Sequence, residues 1–185
     1  SMDGRQTMPE LCETMLARCV QEIAVTEHIE PGHPEEEMDV PPLWADWFAE
    51  IARCRAAYPA LIIRSGIEIG DNPLWRAEPK ALLDTLPLDF RLLSLHLVNG
   101  VDCYDSEKYF TGKTRAQAYR EYAEAKAESI LGWEDFDSVA HIGYVAKFSI
   151  YTGKERALVY EDAPDAFDAI FRHVIALGKC IEVNT

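Results

Sequence analysis

Three histidines and one glutamate carry most of the chemistry that this sequence offers: His28, Glu68, His96 and His141. Neutral imidazole nitrogen and carboxylate oxygen together suit Zn, Mn or Fe. The five cysteines, Cys12, Cys19, Cys54, Cys103 and Cys180, are dispersed with no C-x-x-C spacing, which disfavours a thiolate zinc site and fits reduced thiols. One histidine at the end of an apolar run is more often a hydrogen-bonded core residue than a ligand. The joint placement of these four residues is what points to a metal cluster. His33 lies in a turn-rich stretch and His173 in a helical one, so both are expected to be structural or solvated.

The elements that must position these residues follow from hydrophobic period. Thr7-Met8-Pro9-Glu10 is a capping-box pattern opening a helix with Met8, Leu11, Met15 and Leu16 on one face. Ile23 to Thr26 reads as a buried strand running into Glu27-His28. Leu43, Trp44, Trp47, Phe48 and Ile51 form a second helical stripe, and Leu61 to Ile69 a second strand carrying Glu68. Pro79 opens a short helix through Leu86, Phe90 to Leu95 is strand-like and ends at His96, and a loop rich in Gly, Asp and Tyr follows. Thr114 and Gln117 cap a long helix to about Leu131. Ser138 to Ala140 is a strand ending at His141. Pro164 begins a helix stopped at Gly178, and a last strand runs from Cys180 to Val183, before Asn184-Thr185.

Strands that do not alternate, separated by helices, give an α/β class with a parallel sheet. In that architecture the carboxyl ends of the strands carry the site. Five strands are too few for a (β/α) barrel, which typically has eight strands and about 250 residues, so a barrel requires further elements at one or both ends. An open doubly wound sheet is the alternative. The stretch from Glu30 to Pro42 is a surface loop, a lid or rim over the site, and its acidic run Glu35-Glu36-Glu37 is expected to be solvated.

With 185 residues the chain suggests one domain. Its 18 Lys+Arg against 32 Asp+Glu give a formal charge of −14, which argues against binding nucleic acid or an anionic membrane surface. No apolar run approaches the roughly 20 residues of a membrane span. No leader pattern opens the sequence, so the cytoplasm is the expected compartment.

Several of these segments, taken in order, resemble the histidinol-phosphatase branch of the polymerase-and-histidinol-phosphatase (PHP) superfamily of metal-dependent phosphoesterases. Ser1-Met2-Asp3-Gly4 looks like the segment after that family's first His-x-His pair. Ile23-Ala24-Val25-Thr26-Glu27-His28 is similar to its strand ending in Thr-Asp/Glu-His. Gly66-Ile67-Glu68 resembles the bridging-glutamate motif, Leu93-Ser94-Leu95-His96 with Val98-Asn99-Gly100 the Ser-Val-His motif, and Val139-Ala140-His141-Ile142 the next histidine motif. Ile181-Glu182-Val183-Asn184-Thr185 resembles the following strand.

The resemblance implies a distorted (β/α)7 TIM-like barrel, here lacking its first and last elements, as a single PHP-type domain over residues 1–185 that is incomplete at both ends. It implies two or three divalent metal ions (Mn, Zn or Fe), with Glu68 bridging, His28, His96 and His141 each ligating, and Asp3 as a further candidate ligand. Glu68, His96 and His141 would be the catalytic set. The implied activity is hydrolysis of a small phosphorylated substrate, L-histidinol phosphate, to L-histidinol and phosphate by attack of a metal-bound hydroxide, in histidine biosynthesis. Lys147 and Arg91 are the candidate phosphate contacts, and acidic rim residues would receive the amine.

The sequence departs from the family in three places. The His-x-His pair should lie before Ser1 and the Asp-x-His motif after Thr185, and Gly143 replaces an often acidic residue. A piece of a longer enzyme is the expected explanation. The alternatives are a PHP phosphoesterase of other phosphate substrates and a truncated, non-catalytic binding module on the same scaffold.

Overall fold

The computed structural model describes residues 4–35, 37–39 and 41–184. Asp3, the flanking Ser1 and Met2, and Thr185 lie outside the described residues. Helix α1 (Met8–Ala17) leads to β1 (Glu22–Ile29), α2 (Trp44–Ala57) to β2 (Ile62–Gly70), and α3 (Ala77–Leu83) to β3 (Phe90–Ser94). A hairpin, β4 (Leu97–Val98) and β5 (Val101–Asp102), then precedes α4 (Ser106–Phe110) and α5 (Arg115–Leu131). The remaining elements are β6 (Ser138–Val139), α6 (Tyr144–Lys147), α7 (Pro164–Leu177) and β7 (Cys180–Ile181).

Local chemistry sets most of these boundaries. Capping boxes start α1 at Thr7/Glu10 and α5 at Thr114/Gln117, satisfying amides that have no partner within the helix. Pro164 occupies the first turn of α7, and Gly178, at φ 65°, ends it in the left-handed region where a side chain would be strained. Beside α4 and α6, the hairpin is an element that the hydrophobic pattern does not anticipate. Its signal was nonetheless local: Asn99-Gly100 both take positive φ, at 52° and 76°, as a two-residue turn between antiparallel strands demands.

The main sheet has the order β1-β2-β3-β6-β7 and is parallel throughout. Its register places His28 beside Glu68 and Gly70 beside Ser94. One face is apolar. Ile67, Ile69, Leu93 and Val139 pack against Ala123, Ala127 and Ile130 of α5 and Ile170 and Val174 of α7, while Ile63 meets Ile51 and Cys54 of α2. The other face bears Thr26, His28, Gly66, Glu68, Ser94 and Ser138, the residues of opposite parity. Helices on one face and polar side chains on the other make this a barrel wall, not the doubly wound sheet, which covers both faces. Among the described residues β1 pairs only with β2 and β7 only with β6, so this wall of five strands is open.

The carboxyl end of β2 is clamped by a buried ion pair. Asp71 accepts from Arg76 at both oxygens (2.8 and 2.7 Å) and from the indole N–H of Trp133 at 2.7 Å. Leu93, wholly buried between sheet and helices, reports on this layer. Leu93→Ala should cost about 2–5 kcal/mol through lost burial and the cavity left behind. Urea unfolding would show a lower midpoint at an unchanged slope; an unchanged midpoint would contradict this packing.

Candidate metal centre

The four residues come together at the carboxyl ends of the parallel strands. His28 lies one residue before the end of β1, Glu68 two before the end of β2, and His96 and His141 two past the ends of β3 and β6. The three Nε2 atoms converge on one carboxylate: His28 at 3.6 Å from Glu68 Oε2, His96 at 3.3 Å and His141 at 2.9 Å from Oε1. His96 Nε2 and His141 Nε2 are 3.5 Å apart. Glu68, His96 and His141 present ligand atoms all within 4.8 Å of one another, as do His28, Glu30 and His96.

This donor set fits a divalent cation. Two imidazole nitrogens 3.5 Å apart can share at most one proton between them, and when both are deprotonated their lone pairs face each other. His141 Nδ1 is also buried with no hydrogen-bond partner among the described residues. A metal ion placed among Nε2 atoms and a carboxylate converts opposing lone pairs into ligand bonds.

Electrostatics show how much charge the site concentrates. Burial opposes ionisation of Glu68, yet hydrogen bonds from His141 and His96 and the charge of His28 hold its carboxyl far below the usual range. Burial likewise disfavours charge on His96, but Glu30 and then Glu68 overcome it and raise the imidazole to about 10. His28 is raised for the same reason, against burial, by Glu30 and Glu68. Burial and the nearby Lys126 ammonium lower His141 instead. Lys126 projects wholly buried from α5, with no partner for Nζ among the described residues, and burial pulls it down to about 8.

Tyr144 walls the cluster. Its ring lies 4.9 Å from that of His96 and 5.0 Å from that of His141, and its hydroxyl donates to Asp102 at 3.3 Å. His33, expected to be structural or solvated, is buried, with Nε2 3.3 Å from the same carboxylate, so the loop after β1 is tied to the hairpin. His173 bonds the Trp133 carbonyl at 2.8 Å, away from the cluster. Glu35 and Glu37 are exposed as expected, while Glu36 lies outside the described residues.

Lys147 and Arg91 fare differently. Lys147 is exposed on α6 and lines a cleft with His141, Tyr144, Glu182 and Asn184. Arg91, by contrast, is not brought to the site. It sits at the start of β3, five residues before His96 and so about 16 Å along the strand direction, paired with Asp135 and hydrogen-bonded toward the Leu83 carbonyl. The expectation that Arg91 contacts phosphate is corrected: it anchors the amino ends of the strands.

Glu30, Tyr144 and Glu182 escaped the sequence reading. Glu182 accepts the His141 backbone N–H at 2.8 Å and fixes where that residue leaves β6. Glu30, expected at the start of a surface loop, is buried. Its spacing of two from His28, the strand period, was the available signal.

The raised histidines set a pH dependence for the metal-free protein. Between about pH 6.5, the ordinary histidine value, and about 8, where Lys126 begins to lose its proton, the folded state holds protons on His96 and His28 that the unfolded chain has released. The stability contributed by these two histidines is therefore full below about 6.5 and falls as pH rises through this window, while the depressed His141 and Glu68 lower stability only at more acid pH. Zinc requires deprotonated Nε2 atoms, so its stabilisation should grow with pH and reverse that slope. Thermal unfolding at several pH values, with chelator and with zinc, reads both signs; a flat metal-free profile would contradict the ion-paired cluster.

Comparison with known proteins agrees with this geometry. A histidinol-phosphatase of Lactococcus lactis is 29% identical over 186 residues, covering 100% of this chain and 68% of that protein. A relative from Clostridium acetobutylicum is 27% identical over 166 residues, covering 88% of this chain and 61% of its own length. The crystal structure of histidinol phosphate phosphatase from L. lactis, complexed with zinc, L-histidinol and phosphate, superposes with a TM-score of 0.91 at 26% identity, covering 98% of this chain and 68% of that one. A structure from Listeria monocytogenes, 19% identical with a TM-score of 0.68, shares the fold over 93% of this chain and 72% of its own. The PHP domain model matches residues 1–185: the chain belongs to the PHP domain family.

Proposed function

We propose that the chain is a histidinol phosphatase, hydrolysing L-histidinol phosphate to L-histidinol and phosphate in histidine biosynthesis. The observation that carries this is the convergence of three imidazole Nε2 atoms on Glu68, in a chain similar end to end to a phosphatase of that name. His28, Glu68, His96 and His141 are the proposed ligands of two or three divalent ions, zinc, manganese or iron, with Glu68 bridging. Within the single PHP-type domain these residues are the part of the ligand set that the chain holds between its ends.

Divalent ions held there supply a water made acidic at neutral pH and positive charge opposite the phosphoryl oxygens. The protein's part is positional. Four side chains fixed at the ends of in-register strands hold their donor atoms in place, and the Tyr144 ring packs against two of the imidazoles. Lys147, at the cleft beside His141, supplies a cation for the phosphate. The amine and imidazole of the substrate suit a chain of net charge −14. Five cysteines, none in a disulfide, fit the reducing cytoplasm, and no described helix is long and apolar enough to cross a membrane.

Purified protein loaded with zinc or manganese should release phosphate from L-histidinol phosphate at a higher kcat/KM than from generic phosphomonoesters. Glu68→Ala, His96→Ala and His141→Ala should each lower it by more than about 100-fold, beyond what loss of a supporting partner alone costs. Full metal content and turnover in all three variants would remove the assignment. Equal turnover of simple monoesters would make the protein a broad phosphatase instead.

A further inference from the structure

Glu30 lies at the carboxyl end of β1, buried, with both neighbouring histidines turned toward it. His28 Nδ1–H donates to Glu30 Oε1 at 2.9 Å, and His96 Nδ1–H donates to the same oxygen at 2.9 Å. A carboxylate only accepts, so each ring carries a proton on Nδ1 and turns Nε2 toward Glu68. A histidine that ligates a metal through one nitrogen commonly gives the other N–H to a carboxylate, which fixes tautomer and ring angle and raises ligand basicity. Here one carboxylate serves two rings from two different strands.

The space for this carboxylate is reserved by the sheet. Gly70, at the end of β2, has Glu30 packed over it so closely that a Cβ there would sit 1.8 Å from Oε2. The residue preceding the turn of β2 must therefore lack a side chain for Glu30 to reach both imidazoles. Tyr144 also packs against the His96 ring, so that ring is fixed by both a carboxylate and an aromatic neighbour.

We propose that Glu30 is the positioning residue of the metal centre: it orients His28 and His96 together through their Nδ1–H groups and leaves both Nε2 atoms to the metal, without itself being a ligand. The inference rests on the ligand assignment proposed above. It also makes Gly70 part of the site, as the gap through which the carboxylate acts.

The test is zinc affinity and stoichiometry by chelator competition, with long-range 15N–1H spectra of the zinc-loaded protein assigned through H28N and H96N. Wild-type spectra should show protonated Nδ1 and metal-bound Nε2 on His28 and His96. Glu30→Ala and Gly70→Ala should weaken zinc binding about ten- to hundredfold at unchanged ion number per chain, and Glu30→Gln, whose amide oxygen can still accept both N–H groups but carries no charge to raise ligand basicity, should lose less than Glu30→Ala. Metal bound at Nδ1 of either ring, loss of one whole ion in both Glu30 variants, or Glu30→Gln affinity equal to wild type would each overturn the proposal. The wild-type spectra decide the tautomers even where a variant fails to fold, and a wild type that binds no zinc would instead defeat the ligand assignment on which the proposal stands.

Discussion

The parallel register of β1 against β2 is the constraint on which the rest depends. His28 faces the site because it sits beside Glu68, and it sits beside Glu68 because Ile63, Ile67 and Ile69 of the same strand must face the helices. A slip of one residue would send every side chain of β1 to the opposite face. The apolar cost of exposing Ile23, Val25 and Ile29 therefore protects the placement of His28 and Glu30. Core packing and site geometry are one requirement here, expressed on two faces of the same strand.

The polar face is costly to assemble without a cation. It buries two carboxylates and the His96 imidazole, half-buries the imidazoles of His28 and His141, and behind them buries an ammonium with no hydrogen-bond partner among the described residues. The pairing of Glu30 and Glu68 with His28 and His96 offsets part of the desolvation, which is why those histidines hold protons more tightly than usual. Lys126 and His141 shift the other way because burial outweighs their partners. The crowded Nε2 atoms and carboxylate oxygens form a donor set that suits a divalent ion.

The loop after β1 joins this arrangement. His33 and Tyr144 both reach Asp102 on the hairpin, so the loop that begins at Glu30, the hairpin and α6 share one carboxylate at the rim of the cluster. The hairpin turn itself is dictated by Asn99-Gly100, two residues that accept positive φ. A local backbone preference thus sets where Asp102 stands, and Asp102 sets how the rim closes around the histidines.

The sequence by itself determined the order of the five sheet strands and the longer helices between them, the parallel class, the α5 and α7 boundaries and the identity of His28, Glu68, His96 and His141 as candidates. These depend on hydrophobic period, caps and motif order, all of which are local along the chain. Only the tertiary structure decided that Arg91 pairs with Asp135 at the far end of β3, that Glu30 turns inward over Gly70, and that Tyr144, Glu182 and Lys126 surround the cluster. Each of those outcomes joins residues far apart in sequence, by strand order and by which face a side chain finds open. That information exists only once the sheet has formed, because periodicity assigns a residue to a face without saying what stands opposite.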